Sequence, residues 1–153
     1  MRVLKSIFIG FGMVCALIVT LLTWPMVSST HFRKEQAPFV EKFVADLSMH
    51  WDFADVRDRM SNRFIEQAGT PQAQQLLQQF KHLGSLRSAQ NFKLLNYVNN
   101  NNGQMGDLSF TGTFANGEAL VDVIIVRNDG AVRAIGFYLK TIHLRNVGSK
   151  FEA

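Results

Sequence analysis

Cysteine is almost absent from this chain of 153 residues, which contains a single copy, Cys15. Without a second cysteine no intramolecular disulfide can form, so the globular part must be held together by its hydrophobic core. A lipid-attachment signal needs a small residue just before the cysteine and an aliphatic residue three before it, and Val14 and Gly12 stand there. We therefore predict that Cys15 is an ordinary apolar side chain.

Charge is missing from a long stretch near the N-terminus. No charged residue occurs between Lys5 and His31, and the apolar part of this stretch is Ile7 to Trp24. A helix crosses a bilayer with about 20 apolar residues, whereas the apolar core of a usual signal peptide has ~7–15. The stretch therefore predicts a signal anchor in residues 1–29, with its helix at about 6–24.

A cleaved signal peptide is the alternative, because Pro25 breaks the helix and the small residues up to Ser29 would suit a signal peptidase. Arg2 and Lys5 precede the apolar stretch and favour a cytoplasmic N-terminus. We expect a single-pass protein of the inner (plasma) membrane with an extracytoplasmic, periplasmic domain. If cleavage occurs near Ser29, the domain is instead secreted or periplasmic.

Motifs of several function classes are also missing. The chain has no GxSxG, no glycine-rich phosphate loop and no HExxH. His31, His82 and His143 lie far apart without ligand spacing, so we predict neither a metal site nor another cofactor. Basic residues are scattered singly rather than gathered in a stripe, which argues against nucleic acid as a partner.

The first half of the remaining chain has helical patterns. After a linker at 30–37, Pro38 fits a first helical position and begins an apolar stripe that runs to Leu47. A second helix is predicted from Asp52 to Gln67. A third is capped by Thr70 and closed by Gly84, with a buried stripe consisting of Leu76, Leu77, Phe80 and Leu83.

In the second half of the chain, apolar residues tend to recur at every second position, as in strands. A strand is predicted at Phe92–Val98, followed by an asparagine-rich loop and three strands joined at Asn116-Gly117 and Asp129-Gly130. Counting from these turns gives a predicted register, in which the opposed pairs are Phe114 and Ala119, Thr111 and Asp122, Ile125 and Ala134, and Val123 and Gly136. Gly112 and Gly136 then flank Val123 and would let the sheet bend there.

This register places apolar residues on both faces of the sheet. The first face includes Phe110, Val121 and Tyr138, and the second includes Leu120, Ile124, Phe137 and Leu139. A sheet that is covered by helices on one side alternates between apolar and polar residues. We therefore expect a second cover, which is a cavity formed by the curled sheet, a homodimer or an envelope protein partner.

Helices followed by a curved, four-stranded antiparallel sheet predict an α+β fold. The order of elements, the Leu83-Gly84-Ser85-Leu86 turn and the hairpin sequences from Phe114 to Phe137 resemble the small nuclear-transport-factor-two-like (NTF2-like, cystatin-like) domains of exported bacterial proteins. The resemblance implies a conical domain over residues 38–145, followed by a tail at 146–153, and a pocket between sheet and helices. It implies no single activity.

One carboxylate carries the case for an enzyme. Asp122 lies in an apolar central strand, where desolvation would raise its pKa and suit it as a general base, although Thr111 could donate a hydrogen bond to it. His50 and Asp55 could form a dyad where the first two helices meet. Trp51 beside them is expected to fill the core, and Asp52 to cap a helix.

Two function hypotheses follow. The first is a membrane-anchored binding or assembly module, which is not an enzyme. The second is a pocket protein or an isomerase- or dehydratase-like enzyme that uses Asp122 as a base on a small hydrophobic ligand. The residues that could line such a pocket are Trp51, Tyr97, Thr111, Asp122, Phe137 and Tyr138.

Overall fold

The computed structural model describes residues 29–144. Helix α1 covers residues 29–50 and is followed by a 3₁₀ helix, two short helices and a second 3₁₀ segment. Their bounds are Phe53–Arg59 for the first 3₁₀ helix, Asn62–Ala68 for α2, Pro71–Gln79 for α3 and Lys81–Leu83 for the second 3₁₀ segment. The strands are β1 at Leu86–Asn100, β2 at Gly103–Phe114, β3 at Gly117–Asn128 and β4 at Ala131–Leu144.

The strands form one antiparallel sheet in the order β1-β2-β3-β4, as three successive hairpins. Helices pack against one face of this sheet, and the predicted α+β class is confirmed. The core lies between the two layers and is fully closed to solvent. Its members on the sheet include Leu108, Phe110, Phe114, Val121, Val123, Ile125 and Ala134.

The predicted linker at 30–37 is helical and belongs to α1, so a helix start at Pro38 is wrong. Phe32, Gln36 and Val40 recur at intervals of four and are buried on one face of α1, which holds this part of the helix on the sheet. The Phe32 ring packs over Gly106, where an added Cβ would collide with it.

The predicted second helix is divided in two. Met60 has an extended backbone and forms a parallel bridge with Ala134, to whose carbonyl oxygen the Ser61 N–H donates at 2.9 Å. Ser61 also caps α2, because its hydroxyl accepts a hydrogen bond from the Phe64 N–H at 3.2 Å. Pairing with β4 therefore interrupts the helix although its apolar spacing continues.

Helix α3 has the predicted cap, since the Thr70 hydroxyl accepts a hydrogen bond from the Ala73 N–H. The helix ends at Gln79, and Gly84, at φ 76°, ends the 3₁₀ segment that follows. Leu76 was predicted to be buried and is 56 % exposed, whereas Leu77 is 4 % exposed. Adjacent helical residues point about 100° apart, so only one of these leucines faces the core.

The β2–β3 and β3–β4 turns differ in how well the sequence predicted them. The Asp129-Gly130 turn is confirmed, and both residues have positive φ, 49° and 78°. The other turn is Ala115–Asn116, so Phe114 pairs with Gly117 rather than Ala119. Hydrogen bonds from the Ala115 N–H to the Ser85 carbonyl oxygen and from the Asn116 N–H to the Leu83 carbonyl oxygen tie this turn to the second 3₁₀ segment.

This shift of two residues keeps every side chain on its predicted face but changes its neighbours. Thr111 lies opposite Leu120, and Asp122 lies opposite Ser109, so the predicted pair of Thr111 and Asp122 is wrong. Gly112 lies opposite Ala119 rather than beside Val123.

A β-bulge in β4 moves three side chains to the opposite face from the predicted one. Ile125 pairs with Ala134 as predicted, but Ile124 pairs with Gly136, which leaves Ile135 as the extra residue. Beyond it Phe137 lies opposite Val123, so Phe137 and Leu139 pack against the core. Tyr138 lies opposite Asp122 on the other face and is 63 % exposed.

No helix in residues 29–144 is long and apolar enough to cross a membrane. The predicted span at Ile7–Trp24 and the tail at 146–153 lie outside the described residues.

Candidate binding surfaces

The sheet face that points away from the helices, called the outer face below, exposes large apolar side chains. Met105 and Leu120 on the central strands are 39 % and 38 % exposed, and Val98 and Tyr138 on the edge strands are 44 % and 63 % exposed. No helix or strand within residues 29–144 packs over this face as a second layer. The outer face also carries Lys93 opposite Ser109 and Lys140 opposite Leu120, so it is a mixed surface with large apolar side chains that the described chain leaves accessible.

Two carboxylates lie at the centre of the outer face. Asp107 pairs with Ile124, and Asp122 pairs with Ser109, so the two acids are diagonal neighbours on adjacent strands. The Oδ1 atom of each is buried and has no hydrogen-bond partner among the described residues. A buried carboxylate oxygen without a donor is costly, so this pair is the most unusual polar feature of the face.

The environment of Asp107 shifts its titration. Burial raises the pKa of the Asp107 carboxyl above its ordinary value, and the negative charge of Asp122 raises it further. A hydrogen bond from the side chain of Asn96 lowers the pKa and offsets part of this effect. The site therefore disfavours ionisation of Asp107.

An apolar groove of about 260 Å³ runs between helices α2 and α3 and strand β4. The Phe53 ring closes part of it, with its centroid 5.6 Å from that of Phe64 and 6.4 Å from that of Phe137. The other lining residues are Gln67, Ala68, Ala73, Leu76, Leu77, Phe80, Tyr138 and Leu139. This groove explains why Leu76 is exposed, because its side chain forms part of the wall.

A second, more polar cleft of about 460 Å³ lies where the first 3₁₀ helix meets α2 and α3. Trp51 lines it and is itself 1 % exposed, with its indole N–H donating to the Gly84 carbonyl oxygen at 3.1 Å. Asp52 also lines it and accepts a hydrogen bond from the Ala54 N–H as a helix cap. Both residues have the structural roles that the sequence suggested for them.

The structure brings some sequence candidates together and separates others. The His50 Nδ1 and Asp55 Oδ2 atoms are 2.8 Å apart, but the side chains are 72 % and 38 % exposed and line neither the groove nor the cleft. Thr111 and Asp122 are half-buried on the outer face. The Tyr97 ring instead packs on the Phe32 ring of α1, with 5.0 Å between the ring centroids.

The pocket-lining candidates are divided in the same way. Phe137 and Tyr138 line the groove and Trp51 lines the cleft, but Tyr97, Thr111 and Asp122 line neither. The sequence did not identify Asp107 or Leu76 as residues of a candidate site. Side chains alternate between the two faces along β2, so Asp107 lies on the same face as Ser109, which is opposite Asp122. This alternation is the signal that could have identified the acidic pair.

Within residues 29–144 no group of three or more His, Cys, Asp or Glu side chains is placed to hold a metal ion. No protein-family model matches the chain, and no curated protein matches it. One solved structure to which this chain is similar is a variant of a protein called Rd1NTF2_05. The similarity has a TM-score of 0.42 and 12 % sequence identity, and covers 70 % of this chain and 98 % of that one. A similarity at this level says nothing about activity.

Proposed function

We propose that this domain is a protein-binding module of the cell envelope, and that its partner covers the outer face. The partner is inferred to be an apolar protein surface that presents an arginine or a lysine. The observation that carries this proposal is the acidic pair, because Asp107 and Asp122 each keep a buried oxygen without a donor in the middle of the outer face. A cation of the partner would pair with these oxygens and offset the cost of their burial.

A second copy of this chain fits the outer face less well. A two-fold axis through the centre of the face would bring the acidic pair of one copy against that of the other. Like charges that meet in a desolvated interface cost several kcal/mol, and such repulsion suppresses binding of the wrong partner. This repulsion disfavours a symmetric pairing centred on the acidic pair, although Lys93 and Lys140 lie on the same face.

The same placement supports binding rather than catalysis. A general base needs a cavity that holds the substrate beside it, and Asp122 lines neither the groove nor the cleft. The location in the envelope is supported by the charge-free stretch between Lys5 and His31.

The test is photo-crosslinking in cells that make the full-length chain. A photoreactive residue replaces Leu120 on the outer face or, as a control, the exposed Gln75 of α3. We expect an adduct with another protein from position 120 and none from 75, with the linkage close to an arginine or lysine of the partner. Replacing both Asp107 and Asp122 with Asn should weaken the adduct by about tenfold or more, because a paired charge in an interface is lost.

Two results would contradict the proposal. Adducts that join two copies of this chain would assign the outer face to a homodimer. Equal labelling from positions 75 and 120 would show that the outer face has no preferred partner.

A further inference from the structure

The apolar groove follows the edge of strand β4. It is bordered by the three consecutive residues Phe137, Tyr138 and Leu139. Successive side chains of a strand point to opposite faces, so a cavity that contacts all three lies along the edge of the strand. The groove therefore exposes the strand's backbone as well as apolar side chains.

β4 is an edge strand, and its backbone is only partly paired on the open side. In an antiparallel pair, every second residue of an edge strand directs its N–H and C=O groups away from its neighbour. The one main-chain hydrogen bond that residues 29–144 make to this side is from the Ser61 N–H to the Ala134 carbonyl oxygen. Met60 and Ser61 thus already occupy the beginning of the position where a fifth strand would lie.

The next part of this edge begins with the bulge at Ile135, which is one form of edge protection, but it lacks the two commonest ones. Edge strands are commonly blocked by charged residues or proline, but Ile135–Leu139 contains neither. Arg133 and Lys140 lie on either side of this segment. The open segment has five residues, which is about 16 Å of strand at 3.3 Å per residue.

We propose that this edge and groove together bind an extended apolar peptide segment of another protein, which adds to β4 as a fifth strand. The peptide backbone pairs with Ile135–Leu139, in the same line as Met60 and Ser61. Alternate side chains of the peptide enter the groove against Leu76 and Phe137. The site therefore selects about five residues in extended conformation with apolar side chains at every second position.

The test selects random 12-residue peptides, displayed on phage, against the immobilised full-length chain in detergent micelles. We expect enriched peptides with apolar residues at alternate positions. Leu76→Glu should weaken their binding by about tenfold or more, because it removes an apolar wall that would bury a peptide side chain. Leu95→Glu is the matched control, since Leu95 is 52 % exposed on β1 and lies outside the groove, and it should leave binding unchanged.

A second measurement separates strand addition from simple apolar contact. N-methylation of single peptide amides should abolish binding at every second position and have little effect between them, because only alternate amides pair with β4. Uniform tolerance of N-methylation, helical spacing of the apolar residues or an absence of enrichment would overturn the proposal. So would peptides that bind only after the chain is shortened to Leu144, because the chain's own tail would then be the occupant.

Discussion

At the residue scale, the unusual feature is an acidic pair in which Asp107 and Asp122 each have a buried oxygen without a hydrogen-bond partner among the described residues. Ser109 lies opposite Asp122 and Ile124 lies opposite Asp107, and both are ordinary residues of strands whose side chains alternate between the two faces. In some proteins a buried polar group that costs stability serves binding or specificity, and we propose the same for this pair. The raised pKa of Asp107 gives a way to measure this effect.

The first prediction concerns Asp107→Asn and its dependence on pH. Because the pKa of Asp107 is raised in the folded domain, the folded state binds this proton more tightly than the unfolded chain does. The contribution of Asp107 to stability is therefore complete below its ordinary pKa, and it is lost as the pH rises through the raised value. Asp107→Asn should be more stable than the native protein at neutral pH, and this advantage should vanish in acid.

Urea unfolding of the full-length chain in mild detergent, followed across this pH range, provides the measurement. Asp129→Asn is the control for the loss of one negative charge, because Asp129 is exposed in a turn whose positive φ asparagine tolerates. Replacing Asp122 with Asn should move the transition for Asp107 to lower pH, since it removes a charge that raises the pKa. A stability advantage of Asp107→Asn that grows on acidification would contradict the assignment.

At the element scale, local signals predicted the parts of the fold that local chemistry determines. Thr70 at a cap and Asp129-Gly130 at a turn satisfy backbone groups within a few residues, so a sequence window contains the whole interaction. The extended Met60, the bulge at Ile135 and the position of the β2–β3 turn depend on distant partners. No local pattern contains these partners. For that reason the predicted face of Tyr138 was wrong.

The start of α1 shows the same limit. Pro38 is tolerated in the middle of this helix, although proline there removes a backbone hydrogen bond. The N-terminal half is instead held by contacts with the sheet, including an ion pair between Glu35 and Arg127 at 2.9 Å and the contact of Phe32 with Gly106. Tertiary packing therefore overrides the local signal at Pro38.

The second prediction tests whether this half of α1 belongs to the core. Phe32→Ala should lower the free energy of unfolding by about 3 kcal/mol or more, because Phe32 is 2 % exposed and its removal leaves a cavity over Gly106. Phe39→Ala is the matched control in the same helix and should cost less, since Phe39 is only partly buried. If Phe32→Ala changed stability by less than about 0.5 kcal/mol, as a linker residue would, the described packing would be wrong.

At the scale of the whole molecule, the two surfaces proposed for binding lie on the outside of the sheet and along its β4 edge. The resemblance to NTF2-like domains implied a pocket between helices and sheet. Aromatic and aliphatic side chains fill the centre of this space, and the groove lies at its edge between α2, α3 and β4. The outer face and the β4 groove meet at Tyr138, which is accessible from both. A partner could therefore contact the two proposed surfaces at the same time, which would increase the overall affinity.

The last prediction concerns where this domain acts. Residues Ile7–Trp24 are long enough to form a helix of about 27 Å at 1.5 Å per residue, close to the thickness of a bilayer's hydrocarbon core. We expect the chain recovered from membranes to have its full mass of 17.3 kDa and to resist extraction by alkaline carbonate. Leu17→Arg should release it or prevent its insertion, because a charge at the centre of such a helix costs about 3 kcal/mol.

The control and the contradicting result come from the same preparation. Leu95→Arg adds the same charge to an exposed position of the folded domain and should leave the membrane fraction unchanged. A recovered chain that begins near Thr30 would instead mean that a signal peptide is cleaved there. The domain would then reach its partner by diffusion, so binding at the outer face would lose the high local concentration that an anchor provides.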